Sequence, residues 1–160
     1  MNQTAKKLTE IPLTLFVGPR PGRKSLNRLL QLRLTHLCTL LDEHEDAGRI
    51  ESIARQLDAK WIWLPIRGGR IKVLQQIDLK ALLARFADEL NSTSNNRVYL
   101  HCSAGIHRTG FVAYAILRLR GLDEDNALAK LRNMRKDTCD QLGEERIELA
   151  EVMLSKFDCS

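Results

Sequence analysis

The chain has 160 residues, enough for a single domain whose hydrophobic core needs no disulfides. Hydrophobic residues make up 44% and charged residues 28%, a balance typical of globular proteins and unlike that of disordered chains. No apolar run approaches the ~20 residues of a membrane span, and Met1–Glu10 lacks the apolar stretch of a secretory signal. We therefore expect a soluble cytoplasmic protein that acts away from membranes.

Charge and cysteine content narrow the range of partners. The net charge is +5, which suits anionic partners, while an aromatic content of 5% argues against a surface that stacks nucleic-acid bases. The four cysteines have no C-x-x-C spacing and are too few for a disulfide scaffold, so we expect reduced thiols and no zinc site. They are Cys38, Cys102, Cys139 and Cys159.

Apolar runs alternate with amphipathic segments along the chain. The predicted strands are Leu13–Val17, Leu34–Leu41, Trp61–Ile66 and Arg97–His101. The predicted helices are Ser25–Leu32, Glu45–Leu57, Asp78–Leu90, Arg108–Arg120, Asp123–Lys136 and Glu144–Lys156. The predicted connections include the loops Gly18–Arg23 and Pro65–Arg70 and a polar turn at Asn91–Asn96. Strands that alternate with helices predict an α/β domain whose mostly parallel sheet is flanked by helices, with a core over about residues 13–157.

One segment carries a chemical signature. The sequence His101-Cys102-Ser103-Ala104-Gly105-Ile106-His107-Arg108-Thr109-Gly110 runs from a predicted strand through a short turn into a predicted helix. The unpaired N–H groups of a helix N-terminus attract anions, and a glycine lets successive N–H groups converge on one point. A permanently charged arginine adds a planar fork for two oxygens. These parts suit a tetrahedral dianion such as a phosphoryl group.

Cys102 lies at the base of this turn. The surrounding N–H groups favour its thiolate and predict a pKa below the ~8.5 of a free cysteine. A thiolate beneath a bound phosphoryl group is an in-line nucleophile, and the Thr109 hydroxyl can donate to the sulfur and help it leave. His101 is predicted to be structural and to bond backbone groups beside Cys102.

The ten-residue segment resembles the signature loop of the cysteine-dependent protein tyrosine phosphatases, and the length of the chain resembles their small dual-specificity branch. A looser similarity extends from about Leu13 to Phe157. The resemblance implies a phosphatase fold and a phosphocysteine intermediate on Cys102, without metal or other cofactor. Phosphate would bind to Ser103, Ala104, Gly105, Ile106, His107 and Arg108, with Arg108 stabilising the transition state.

The sequence departs from this family at one functional position. The family carries an aspartate that protonates the leaving oxygen in the loop after the segment matching Trp63–Ile66. Here that loop holds Arg67, Arg70 and Lys72 and no carboxylate. Four residues are alternative sources of the acid: Asp78, Asp42, Glu43 and His44. The remaining alternative is that no dedicated acid exists and the leaving group is already acidic.

Three hypotheses concern neighbouring residues. The cations Arg67, Arg70 and Lys72 either recruit a second anionic group of the substrate or are simply solvated. His107 either lines the rim of the pocket or only caps the outer side of the loop. Cys38 is predicted to be a core residue, with a protective disulfide to Cys102 as the alternative that the family suggests.

We expect a monomeric phosphatase that acts on phosphotyrosine, and on phosphoserine or phosphothreonine, in proteins. An RNA 5′-triphosphatase and a phosphoinositide phosphatase are alternatives within the same chemistry. The alternative from a different class is a pseudophosphatase that binds phosphorylated partners without turnover.

Overall fold

The structure, a computed structural model, describes residues 3–157. Its strands are β1 (Leu13–Gly18), β2 (His36–Thr39), β3 (Lys60–Trp63) and β4 (Asn96–His101). Its helices are α1 (Gln3–Glu10), α2 (Leu26–Gln31), α3 (Gly48–Gln56), α4 (Ile71–Leu74), α5 (Leu79–Asp88), α6 (His107–Leu119), α7 (Glu124–Met134), α8 (Lys136–Leu142) and α9 (Glu144–Ser155). A 3₁₀ turn at Glu43–Glu45 precedes α3.

The four strands form one sheet in the order β1-β4-β2-β3, and every neighbouring pair is parallel. This confirms the predicted α/β architecture. Because the strands are parallel, their C-terminal ends meet at one edge of the sheet, where ligands of such folds bind. The loops that follow β1, β2, β3 and β4 therefore converge there.

Helices bury both faces of the sheet, as an all-parallel sheet requires. On one face α6 is the central element, and every residue from Arg108 to Leu117 is buried. Leu8 and Ile11 join the same core, so the packed region begins before the predicted boundary at Leu13. The other face packs against α2 and α3 through Leu29, Ile50 and Ala54.

Several predicted segments are wrong in extent for identifiable reasons. The predicted strand Trp61–Ile66 stops at Trp63, because the next N–H groups leave the regular register: Leu64 N–H bonds the Thr39 carbonyl, but Ile66 N–H bonds that of Leu40. The predicted helix Glu45–Leu57 divides at Asp46, whose φ of +58° ends the 3₁₀ turn before α3 begins. The predicted strand Leu34–Leu41 is longer than β2, which spans His36–Thr39. Asn96, the last residue of the predicted turn Asn91–Asn96, belongs to β4.

Three helices lie where the sequence analysis placed none. α1 occupies the polar N-terminal segment, and α4 forms just after the predicted loop Pro65–Arg70. The predicted helix Asp123–Lys136 ends at Met134, because Arg135 is extended, and α8 starts again at Lys136. None of the helices in residues 3–157 has both the length and the apolarity that a bilayer crossing needs. Cys159 lies outside the described residues.

Candidate active site

The segment from Cys102 to Ile106 forms a loop between the end of β4 and the start of α6, at the edge where the strand ends converge. Within residues 3–157, the N–H groups of four consecutive residues, Ser103 to Ile106, bond no carbonyl or side-chain oxygen. Unpaired N–H groups beside a helix N-terminus form an anion site. The loop therefore offers unpaired N–H donors to an anion, as the sequence predicts.

Cys102 is buried beneath this loop, with 3% of its surface exposed. Burial raises the pKa of Cys102, but four interactions outweigh it, and the net pKa lies below the ordinary thiol value. The Thr109 hydroxyl donates to Sγ at 3.1 Å, the N–H groups of Thr109 and Ile106 bond the sulfur, and the Arg108 charge attracts the thiolate. The sulfur is thus prepared to ionise in a site that excludes most water.

A chain of hydrogen bonds fixes His101 directly before the nucleophile. Its Nδ1 lies 3.0 Å from the Cys102 carbonyl and therefore carries the proton, so Nε2 accepts from the Thr39 hydroxyl at 2.8 Å. Trp61 Nε1 in turn donates to Thr39 Oγ1 at 2.9 Å. Burial lowers the pKa of His101 to about 4, so the ring is neutral at pH 7. His101 is a positioning residue, as predicted.

Gly105 is required by the shape of the loop. Its φ is +71°, and a Cβ there would lie 2.2 Å from the carbonyl carbon of Gly18, at the end of β1. The Gly105 carbonyl accepts from Thr138 Oγ1 at 2.6 Å and from Arg135 Nη1 at 3.0 Å. Arg135 also donates to the Ala104 carbonyl at 3.0 Å. The break between α7 and α8 therefore positions Arg135 so that its side chain holds the loop from outside.

Arg108 is held by a carboxylate that the sequence analysis did not identify. Glu45 accepts from Arg108 Nη1 at 2.6 Å and from Nη2 at 2.9 Å, and the Ile66 carbonyl accepts from Nη1 at 2.9 Å. A guanidinium has five N–H groups, so Nε–H and one Nη2–H remain along the other edge. That edge can bind two oxygens of one phosphoryl group.

The loop after β3, which lacks the aspartate, is held by hydrogen bonds to two of its carbonyls. Besides the bond from Arg108 to Ile66, Arg146 of α9 donates from Nε to the Gly69 carbonyl at 2.8 Å. A Cβ on Gly69 would lie 2.5 Å from His107 Cβ, so this loop packs directly against the start of α6. The pKa of His107 is lowered by burial and by the charge of Arg146, and the nearby Gln141 backbone partly opposes this. His107 therefore lies between the loop after β3 and α8, which favours the capping alternative.

The four residues considered for the leaving-group acid have other contacts or lie exposed. Asp78 caps α5 by accepting from Ala81 N–H at 3.0 Å, which removes the argument for an active-site role. Asp42 accepts from His44 N–H at 3.0 Å and shapes the 3₁₀ turn. Glu43 and His44 are exposed on that turn and lie 3.8 Å from each other.

The structure argues against a Cys38–Cys102 disulfide. Cys38 pairs in register with Leu100, two residues before Cys102, so the two Cα atoms lie about 8 Å apart along and across the strands. Disulfides need Cα atoms within about 7 Å of each other. Burial also raises the pKa of Cys38, and the sulfur lies in the core as predicted. Cys139, on α8, is partly buried and donates to the Leu128 carbonyl at 3.4 Å.

Cations surround the mouth of the loop. Arg67, Arg70 and Lys72 are exposed on the loop after β3 and at the start of α4. On the other side, Arg20 N–H donates to the Ser103 carbonyl at 2.9 Å, and Arg20 Nη2 to the Glu45 carbonyl at 2.6 Å. Arg20 also lines a groove of about 470 Å³ together with Arg23 and Arg49, and no carboxylate is among the described residues that line it.

The predicted site residues are those that lie together in the chain, and the residues that hold them from a distance were not predicted. Glu45, Arg135, Thr138 and Arg146 were not identified as site residues. These residues lie far from the signature segment in the chain, so its spacing gives no signal for them. Nowhere in residues 3–157 do three or more His, Cys, Asp or Glu side chains gather as a set of metal ligands.

Comparison with known proteins adds a family and a fold. The family model described as "Tyrosine phosphatase family" matches residues 23–130, and the comparison with curated proteins gives no significant match. PTPMT1 in complex with PI(5)P superposes with a TM-score of 0.62 at 14% identity, over 91% of this chain and 93% of that one. Tk-PTP in its active form has a TM-score of 0.58 at 19% identity, over 91% and 92%. The catalytic domain of the S. cerevisiae PP-IP phosphatase SIW14 has a TM-score of 0.58 at 16% identity, over 88% and 80%.

Proposed function

Since this chain belongs to the tyrosine phosphatase family, we propose that it hydrolyses phosphate monoesters through a phosphocysteine formed on Cys102. One observation carries the proposal. The sulfur of Cys102, whose pKa is lowered, lies beneath four N–H groups without oxygen partners and beside the free edge of Arg108. A nucleophile and donors for three phosphoryl oxygens are thus gathered at one point.

In the proposed first step, Cys102 Sγ forms a bond to phosphorus while the bond to the ester oxygen breaks. The N–H groups of the loop and the free edge of Arg108 stabilise the charge on the equatorial oxygens. In the second step, water attacks phosphorus and the sulfur leaves as a thiolate. Thr109 stabilises that thiolate through its bond of 3.1 Å to Sγ.

No carboxylate of the loop after β3 is available to protonate the leaving oxygen, so that oxygen takes its proton from water. The rate of the first step should therefore depend strongly on the acidity of the leaving group. Phenols and phosphates are better leaving groups than alkyl alcohols. Phosphotyrosine in proteins is accordingly the substrate that we propose first, ahead of phosphoserine and phosphothreonine.

A polyphosphorylated small molecule is the second candidate, and the cations at the mouth favour it. Arg20, Arg23 and Arg49 line one groove beside the loop, and Arg67 and Arg70 are exposed on the other side. A substrate with further phosphates would interact with these side chains in addition to the loop. PTPMT1 in complex with PI(5)P and the PP-IP phosphatase SIW14 share the fold.

The decisive experiment compares p-nitrophenyl phosphate, a phosphotyrosine peptide, a short-chain phosphoinositide, an inositol pyrophosphate and a 5′-triphosphate RNA. We expect turnover that Cys102→Ser reduces by roughly 10³-fold or more. A rapid acid quench with labelled p-nitrophenyl phosphate should leave the label on Cys102. Cys139→Ser is the control, since it removes a thiol outside the loop and should leave turnover unchanged.

The outcomes separate the hypotheses. Fastest turnover of the phosphotyrosine peptide supports the first candidate, and fastest turnover of a lipid or inositol substrate supports the second. Preference for the triphosphate RNA would replace both with a triphosphatase. Binding of the phosphotyrosine peptide without any turnover or label would identify a pseudophosphatase and contradict the proposal.

A further inference from the structure

The free edge of β1 lies in a groove of about 890 Å³ between α2 and α7. β1 is an outer strand of the sheet and pairs with β4, and no strand within residues 3–157 lies on its other side. Five consecutive residues, Leu15 to Pro19, line the groove. Its volume falls within the range of established ligand sites.

The backbone in this groove presents unused hydrogen-bonding groups. The Pro12 carbonyl accepts from Asn96 N–H, and parallel strands alternate the side to which successive residues direct their N–H and C=O groups. The groups of Leu15 and Val17 therefore point to the free edge. Within residues 3–157 no hydrogen bond joins them to α2, α7 or any other element across the groove. An exposed strand edge of this kind is a template for another strand.

The walls of the groove are apolar at the centre. Leu29 of α2 and Leu32 just after it form one wall, and Leu122 just before α7 and Met134 at its end form the other. Phe16, on β1, lies between these walls. An extended chain that enters the groove would therefore bury apolar side chains on both sides of its backbone.

The rim is positively charged. Arg28, Lys130 and Arg135 line the groove, and no carboxylate is among the described residues that line it. Lys130 also lines the adjoining cavity at Leu13–Leu15, which places it near the start of β1. Arg135 marks the other end, because it bonds Gly105, whose Cα lies against Gly18. Arg28 and Lys130 are exposed and form no ion pair with any residue from 3 to 157.

We propose that this groove binds an extended segment of a partner protein, with an apolar centre and acidic residues at both ends, as an added strand on β1. The unpaired β1 edge supplies main-chain hydrogen bonds, the walls supply apolar contact, and the separated cations select acidic ends. The site is distinct from the phosphate loop and does not depend on the proposed phosphatase activity.

The test uses a fluorescein-labelled octapeptide, Asp-Glu-Val-Leu-Val-Leu-Glu-Asp, and fluorescence anisotropy with the full chain. We expect saturable binding that the double variant Arg28→Glu, Lys130→Glu weakens at least tenfold. The charge-matched control Lys6→Glu, Lys24→Glu changes exposed lysines that are not among the lining residues and should bind as the unchanged protein does. Circular dichroism and thermal unfolding check that each variant folds.

Two further peptides test the mode of binding. Methylation of the four central peptide nitrogens removes the main-chain donors and should weaken binding at least tenfold. A peptide with lysine at the four acidic positions should bind at least tenfold more weakly. Equal binding of either peptide, or of the double variant, would overturn the proposal, as would the absence of binding. Self-association of the protein that Arg28→Glu, Lys130→Glu abolishes would replace the partner with a second copy of this chain.

Discussion

The Cys102 thiol is buried, and burial alone would keep it protonated. The hydroxyl of Thr109 opposes this effect at 3.1 Å, with help from two backbone N–H groups and from Arg108. A neutral hydroxyl bonds a thiolate more strongly than a thiol. Thr109 therefore sets how far the pKa of Cys102 falls.

Removal of this hydroxyl should raise the pKa of Cys102. We expect Thr109→Ala to move the pH profile of iodoacetamide alkylation at Cys102 upward by about one unit, the equivalent of one charge-assisted hydrogen bond. Thr109→Ser keeps the donor and should retain most of the original profile. An alkylation profile that is the same in Thr109→Ala as in the unchanged protein would contradict this role.

The catalytic residues could be predicted because they are adjacent in the chain. Cys102, Arg108 and Thr109 lie within one loop and the first turn of one helix, where spacing determines their geometry. Glu45 could not be predicted in this way, since it is 63 positions from Arg108 and belongs to a run of charged residues. Only the packing of the β2 and β4 ends shows which of those carboxylates reaches the arginine.

The 3₁₀ turn at Glu43–Glu45 acts as a support for the catalytic arginine. Asp42 N–H donates to Glu45 Oε1 at 3.2 Å, and His44 N–H donates to Asp42 Oδ1, which together form a capping box. The turn therefore fixes the direction in which the Glu45 carboxylate meets Arg108. The pKa of Glu45 is lowered, first by its hydrogen bond with Arg108, so the carboxylate is charged at neutral pH.

Weakening this support should disturb catalysis without removing any group that touches the substrate. We expect Glu45→Gln to reduce kcat/KM on p-nitrophenyl phosphate by roughly 10²-fold, as a small displacement of a catalytic group does. Glu43→Gln is the matched control, because Glu43 lies on the same turn and is exposed. Comparable losses in the two variants would show that the charge of the turn, and not the contact with Arg108, is responsible.

The bounds of a helix were predicted best where a regular apolar pattern runs along its length. α5, with Asp78 as its cap, lies within two residues of the predicted bounds because its apolar stripe is regular, and α9 does so although Ala150 is its only buried residue. α1 was missed because its segment is polar and only Leu8 is buried. The restart of the helix as α8 was missed because the segment that follows Arg135 is mostly polar, while Arg135 itself bonds the distant carbonyls of Ala104 and Gly105.

At the scale of the whole molecule, two buried histidines couple folding to pH. Burial lowers the pKa of His101 to about 4 and also lowers the pKa of His36. In the unfolded chain both titrate near the ordinary 6.5. The unfolded state therefore takes up protons before the folded state does, and the free energy of unfolding decreases as the pH falls below about 6.5.

His101 alone should lower the free energy of unfolding by about 2 kcal/mol between pH 7 and pH 5. Glu45 and Glu151, whose pKa values are lowered, lose their contributions only at still lower pH. Urea unfolding at pH 7, 6 and 5 measures the change. His44→Gln, at an exposed position, should leave the slope as it is. Equal stability at pH 7 and pH 5 would contradict the neutral, buried assignment of His101.

The pairing of Arg108 with Glu45 has a consequence for how the protein attracts an anion. When Cys102 is ionised, the charges of Cys102, Arg108 and Glu45 sum to minus one, so the centre itself repels a dianion although the chain carries +5 overall. At long range the anion is then attracted by the arginines at the mouth of the loop. At short range it is bound by the uncharged N–H groups of the loop. The same arrangement weakens the binding of the product, because inorganic phosphate in the loop is repelled by the re-formed thiolate of Cys102 beneath it.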